Sequence, residues 1–327
     1  NASLRGLISR QLQQSWQDLA GTRSLPWQRV QLLHVRTVLA ELLTEVEGDA
    51  EVYGFDYDGM AEHRLLRQDT APIEARCDAL FVDEAQDLGH HALQALFALV
   101  RPWRQDAPQS RAVHIFFDNN QRLFSDGTPR WSELGLDLRG RSTVMKESWR
   151  TTRPIAELAR NVLYRLVRFD RDPDHREYLR RGLLEQVGRG AEVWWRERFS
   201  PAQGPLPSLH LHSDRAAEVA DLARATRAFV AEQGVLPGDL RVLANDPELR
   251  RELHVALQRA LQDLPVRVRV QTSQDYATAE DTLIITTAHS FKGHEAEAVF
   301  IAGADRFVAR KEGRQVALPQ ALYVAMT

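Results

Sequence analysis

Apolar positions along this chain follow two rhythms. Short β-branched or apolar runs at residues 79–82, 112–117, 143–146, 241–244, 266–270, 282–286 and 298–301 read as strands. Between the later runs, residues 214–233 and 246–261 carry apolar side chains at intervals of three and four, the signature of helices lying over a sheet. Strands alternating with helices predict an α/β fold with parallel sheets. The stretch 127–141 holds Pro129, Gly135 and Gly140 with few apolar pairs, which puts the first domain at 1–130 and the second at 131–327. Residues 200–208 are rich in proline and glycine and read as irregular, 165–189 is strongly charged and reads as exposed helix and loop, and no internal repeat occurs.

Composition narrows the class. A chain of 327 residues with 43% hydrophobic content can bury a substantial core in two domains. The longest apolar stretch, 92–100, is interrupted by Gln94 and falls far short of the roughly 20 residues a membrane span needs. The first residues lack a basic region followed by an apolar run, which removes support for secretion, and they lack a starting Met. The single Cys77 cannot form an internal disulfide, consistent with a reducing cytoplasm. Net charge is only −3, so contact with nucleic acid must come from local patches. All cations other than Lys146, Lys292 and Lys311 are arginines, which we read as genome composition.

The densest chemistry lies where the run 79–82 ends in Asp83-Glu84-Ala85-Gln86-Asp87, ahead of a helix expected to begin near His90. The carboxyl edge of an open α/β sheet is where ligands bind. There, Asp83 can hold a hard cation such as Mg²⁺ and Glu84 can polarise an attacking water, the logic of metal-assisted phosphoanhydride hydrolysis. The competing reading makes the two carboxylates an acidic cap for the helix near His90. Leu80 to Asp87 resembles motif II, the Walker B segment, of the UvrD/Rep-like superfamily 1 DNA helicases.

Further segments resemble this family's motifs in the same order. Asp118-Asn119-Asn120-Gln121 is similar to motif III, with Phe117 in place of the usual glycine. Lys146 to Thr152 resembles motif IV, with Trp149 where tyrosine is usual. Thr286 to Glu295 resembles motif V, with His294 in place of leucine. Ala321 to Thr327 is similar to the opening of motif VI, whose arginine finger would follow Thr327, and Asn1-Ala2-Ser3-Leu4 resembles motif Ia. Taken singly, Asp-Asn-Asn is an ordinary turn, Trp149 a core aromatic and Arg150 a solvated charge.

The resemblance implies two RecA-like P-loop NTPase domains with parallel sheets. The short intervals between motifs imply a compact form without large helical insertions. It also implies ATP and Mg²⁺ as cofactors, with Asp83 on the metal, Glu84 activating water, Gln121 sensing the γ-phosphate, Arg150 pairing with it, Trp149 stacking on adenine and Glu295 near the sugar. Thr287, His289 and Asn1 would face the backbone of single-stranded DNA, or of junctions with single-stranded tails, and a nuclease domain or subunit is an expected partner. No Gly-x-x-x-x-Gly-Lys-Ser/Thr occurs in the 327 residues. We therefore expect a chain trimmed at both ends that does not hydrolyse ATP appreciably alone. Two alternatives stand beside this reading. One is a non-catalytic DNA-binding or scaffold subunit of a nuclease or repair complex; the other, fitting the motif spellings less well, is an RNA helicase. A Gly-Lys-Thr upstream of Asn1 and an arginine after Thr327 in the native gene would exclude the scaffold.

Three other features invite chemistry. His210, His212 and Asp214 alternate on an expected strand at 209–212, where a metal can bind but a polar strand face is the commoner outcome. Asp56 and Asp58 suggest calcium, yet the remaining loop ligands are absent, and we read a turn. Trp194-Trp195-Arg196 and Tyr164-Arg165 interleave aromatic and cationic groups as single-strand binders do, although a half-buried strand and an amphipathic helix explain them equally well.

Overall fold

The computed structural model describes residues 2–21, 24–104, 110–118, 131, 133–134, 140–143, 151–166, 173–198, 200–271, 279–311, 314–317 and 319–327. The chain divides into two compact units, Arg5–Val144 and Met145–Thr327 together with Asn1–Leu4. The fold is mixed α/β with parallel sheets.

In the first unit, helices α1 (Ala2–Ala20, belonging to this unit from Arg5 onward), α2 (Val35–Thr44) and α3 (Tyr57–Leu65) precede strand β1 (Ala79–Val82), helix α4 (His90–Ala98) and strand β2 (Ala112–Ile115). Strands β1 and β2 pair in parallel, Ala79 opposite Ala112 and Val82 opposite Ile115. Helix α2 places Val35, Val38, Leu39, Leu42 and Leu43 on one stripe, and Leu39, Leu42 and Leu43 join Met60, Ala61, Leu93 and Leu96 in the core. Phe81 and His114 stack on each other, ring centroids 4.6 Å apart.

The helix starts of this unit are set by acidic side chains. Asp56 caps α3 by accepting from the Gly59 N–H at 2.9 Å. Asp58, two residues further, serves the start of α4 instead: it accepts the Ala92 N–H at 2.9 Å, and its second oxygen lies 2.9 Å from His91 Nδ1. The pair read as a turn thus acts as two helix caps. Replacing Asp58 by alanine should cost about 1 kcal/mol, visible as a lower urea midpoint with an unchanged slope; an unchanged midpoint would show that the cap contributes nothing.

The second unit holds helices α5 (Arg153–Leu166) and α6 (Pro173–Arg180), strands β3 (Leu184–Val187) and β4 (Trp194–Glu197), helix α7 (Arg215–Ala231), strand β5 (Leu240–Leu243), helix α8 (Pro247–Ala260), strands β6 (Arg267–Val270) and β7 (Thr282–Thr286), helix α9 (Ala288–Phe291), strands β8 (Ala298–Ile301), β9 (Val308–Lys311) and β10 (Arg314–Ala317), and helix α10 (Pro319–Met326). Its main sheet is wholly parallel, in the order β6-β7-β5-β8. The two central strands are buried at every position, as apolar strands covered on both faces should be. Leu222 and Ala223 of α7 and Leu249, Leu253 and Leu257 of α8 pack with Leu240, Val242, Leu283 and Ile285.

A smaller core joins α5, the antiparallel β3–β4 pair and α10 through Ala159, Leu163, Tyr164, Leu184, Trp195 and Tyr323. Buried polar groups stitch it together. Asn161 substitutes for a neighbouring strand, donating through Nδ2 to the Trp195 carbonyl and accepting the Trp195 N–H, both at 2.8 Å. Arg160 lies 3.3 Å from Glu197 Oε2 and donates to the Tyr164 hydroxyl at 3.2 Å. Trp195 and Tyr164 are 6% and 5% exposed, so neither ring offers a face for a nucleobase. Residues 209–212, expected as a strand, form neither strand nor helix. The expected strand at 143–146 lies mostly outside the described residues. No helix among the described residues is long and apolar enough to cross a membrane.

Candidate functional site

The carboxylate segment sits where its sequence suggested, at the carboxyl end of β1. Backbone pairing continues past the strand, with Phe116 N–H donating to the Val82 carbonyl at 2.8 Å and Ala85 N–H to the Phe116 carbonyl at 3.0 Å. Between these two bonds the chain turns sharply: Glu84 adopts left-handed backbone angles, φ 54° and ψ 36°, before a 3₁₀ turn at Ala85–Asp87. A non-glycine residue held there carries local strain of roughly 1–3 kcal/mol. The turn lifts Asp83 into solvent and leaves Glu84 half-buried, while Ala85 and Gln86 are buried.

Hydrogen bonds order this corner. The Glu84 N–H donates to Asp83 Oδ1 at 3.0 Å. Gln86 donates through Nε2 to Glu84 Oε2 and accepts the Asp118 N–H at Oε1 at 3.0 Å. One buried glutamine therefore ties the acidic turn after β1 to the chain leaving β2. In the sequence Gln86 is only an amide beside two carboxylates, and no local pattern reveals its partner 32 positions away. Burial raises the pKa of the Tyr57 hydroxyl, Arg36 draws it back, and the negative charge of Asp87 adds to the rise. The helix-cap alternative for Asp83 and Glu84 does not describe this corner: α4 has Gly89 at its N-cap position and receives Asp58.

In the second unit the buried strand β7 ends at Thr286, and Thr287 caps the short α9, accepting the Ser290 N–H at 3.1 Å. Asn245, after β5, accepts the Ala288 N–H at 3.3 Å, so two adjacent strand ends share one polar corner. Thr286 donates from Oγ1 to Gln271 Oε1 at 2.6 Å at the end of β6. His289 is exposed on α9, Gly293 takes φ 83°, which only glycine adopts freely, and Glu295 is exposed beyond it.

The same unit brings further segments together. Helix α10 packs on both α5 and α9. The Thr151 hydroxyl, at the head of α5, donates to the Thr327 carbonyl at 3.0 Å. Thus the ends of the segments resembling motifs IV, V and VI gather on one side of the unit although they span residues 151–327. Asn1, Gln121, Trp149 and Arg150 lie outside the described residues.

No protein-family model matches this chain, and no curated protein matches it.

Chemically, Asp83 and Glu84 form an acidic, strained, solvent-reachable corner on a parallel sheet edge, and hard carboxylate oxygens there suit Mg²⁺. In the other unit Thr287 stands at the corner shared by β5 and β7, with His289 and Glu295 exposed on the chain that follows.

Proposed function

We propose that this chain is the core of an ATP-dependent DNA helicase or translocase of the UvrD/Rep type, its two units RecA-like and its motion driven by ATP hydrolysis along single-stranded DNA. The observation that carries the reading is the position of Asp83 and Glu84 at the carboxyl end of a parallel strand, in a strained turn pinned to the next strand by Gln86. Support also comes from the motif resemblances in family order, from II through the opening of VI, and from the gathering of Thr151, α9 and α10 in one unit.

In this reading Asp83 would hold Mg²⁺, which neutralises charge on the triphosphate. Glu84, half-buried and hydrogen-bonded to Gln86, orients the attacking water and takes its proton. Gln121 and Arg150 address the γ-phosphate, Trp149 stacks on adenine, and Glu295 reaches the sugar. Thr287 and His289, with Asn1, bind the phosphate backbone of the DNA strand. The competing reading is a non-catalytic DNA-binding or scaffold subunit. It keeps the DNA contacts and discards turnover.

The chain should bind a fluorescent single-stranded oligonucleotide in anisotropy titrations, with affinity falling steeply as salt rises, because phosphate contacts release counterions. His289→Ala, an exposed substitution, should weaken that binding while leaving the circular dichroism unchanged. Binding that ignores salt and survives His289→Ala would remove DNA from the proposal. Nucleotide binding by the native polypeptide separates motor from scaffold.

A further inference from the structure

Residues 201–212 run without helix or strand between two anchors. At one end Arg153 N–H donates to the Ala202 carbonyl at 2.9 Å, and Ser200 hydrogen-bonds to the Thr151 carbonyl. At the other end two imidazoles close on α7: His210 Nδ1 and His212 Nε2 each lie 3.0 Å from the same oxygen, Oδ2 of Asp221. The rings are nearly parallel, 19° apart with centroids separated by 6.3 Å, as alternate residues of an extended segment should be.

We propose that His210, His212 and Asp221 form a binding site for one Zn²⁺ ion, which clips the extended segment to α7. The three ligand atoms lie within 4.8 Å of one another, and among the described residues no other three histidine, cysteine or acidic side chains converge in this way. Tetrahedral zinc with bonds near 2.0–2.1 Å sets its ligand atoms about 3.3 Å apart. Each imidazole nitrogen stands 3.0 Å from Asp221 Oδ2, within a few tenths of an ångström of that spacing. Two nitrogens and one carboxylate oxygen suit a borderline ion rather than Mg²⁺, which prefers six oxygens.

The support around the site matches its chemistry. Helix α7 is a firm base, since Leu222, Ala223 and Thr226 are buried beside the half-buried Asp221. Arg224 pairs with Asp221 Oδ1, the other oxygen, which orients the carboxylate and leaves Oδ2 turned to the imidazoles. His210 is exposed, leaving a fourth position for water. Asp214, the carboxylate that alternation with the two histidines suggested, is committed elsewhere: it caps α7 by accepting the Ala217 N–H at 2.9 Å. The proposal stands independently of the motor reading.

Calorimetric titration of the tag-free, chelator-stripped 327-residue protein with ZnCl₂ should show one saturable site per chain, and MgCl₂ should show none. Arg224→Ala should weaken binding about 10-fold, and His212→Ala and Asp221→Asn by more than the ~10–100-fold expected for an outer partner. Asp214→Asn should leave the affinity unchanged, because asparagine caps a helix as well as aspartate does. Co²⁺ should give the visible spectrum of a tetrahedral ion in the wild type and lose it in Asp221→Asn. Absence of a saturable Zn²⁺ site, or a site indifferent to both His212→Ala and Asp221→Asn, overturns the proposal. If His212→Ala alters the circular dichroism, Asp221→Asn on the preformed helix decides.

Discussion

Glu84→Gln should lower single-strand-stimulated ATP turnover by about 10²–10⁴-fold, the contribution of a positioned general base, while leaving nucleotide affinity nearly intact. The assay needs a Gly-Lys-Thr phosphate loop alongside this chain, since its 327 residues contain none. The substitution is close to isosteric. Gln86 Nε2 now donates to Glu84 Oε2, and the amide oxygen of a glutamine at 84 can accept the same bond. Both side chains meet the same left-handed backbone penalty, so the strain at φ 54° is unchanged. Only the ability to take a proton is lost. Asp83→Asn should behave differently, weakening Mg²⁺-dependent nucleotide binding, because its carboxylate is assigned to the ion. Glu84→Gly sharpens the contrast: it removes strain of order 1–3 kcal/mol, offset by about 0.4–1 kcal/mol from the more flexible unfolded chain together with the loss of the bond from Gln86. Inactivity at near-wild-type stability is therefore expected. ATP turnover retained within a few-fold in Glu84→Gln would sink the assignment of water activation to this residue.

The largest stability effect should come from Glu197→Ala. Arg160 and Glu197 are 4% and 5% exposed, and their side chains meet at 3.3 Å. An arginine keeps its charge in proteins, so removing this carboxylate takes an ion partner from a buried cation. Breaking one side of such a pair costs about 3–5 kcal/mol, a large share of a typical domain's 5–15 kcal/mol. The Tyr164 hydroxyl remains beside Arg160 at 3.2 Å, but a neutral acceptor cannot replace the carboxylate. Replacing both members, Arg160→Leu with Glu197→Leu, should recover much of the loss, because desolvating two charges is itself costly. Urea unfolding of the three variants tests this, and a loss below about 1 kcal/mol in Glu197→Ala would place the pair in the class of weak surface bridges.

The strands that present the candidate residues were legible because their signal is local. Strands β1, β7 and β8 lie at the expected residues, and helices α7 and α8 fall inside the expected periodic stretches. An apolar run that stops abruptly at Asp83, or at the residues after Thr286, carries its own end, and the pairing partner need only be another such run. Cap chemistry is equally local, since Asp56 and Asp214 bond to N–H groups three residues ahead, yet their sequence context suggested a turn and a metal ligand instead. The aromatic and arginine clusters were less so, since Trp195 and Tyr164 could have faced solvent until α5, α6 and β4 closed over them.

Periodicity states which face of its own element a side chain occupies, and nothing about what another element brings to that face. For this reason residue order settled the α/β class, the main parallel strands and the carboxylates at a strand end. Packing alone decided that Asp58 caps a helix through an N–H 34 positions away, that Gln86 bridges two strand ends, and that Asp221 rather than Asp214 meets the paired histidines. Each of these contacts joins groups on separate elements, whose approach depends on burying the apolar stripes between them.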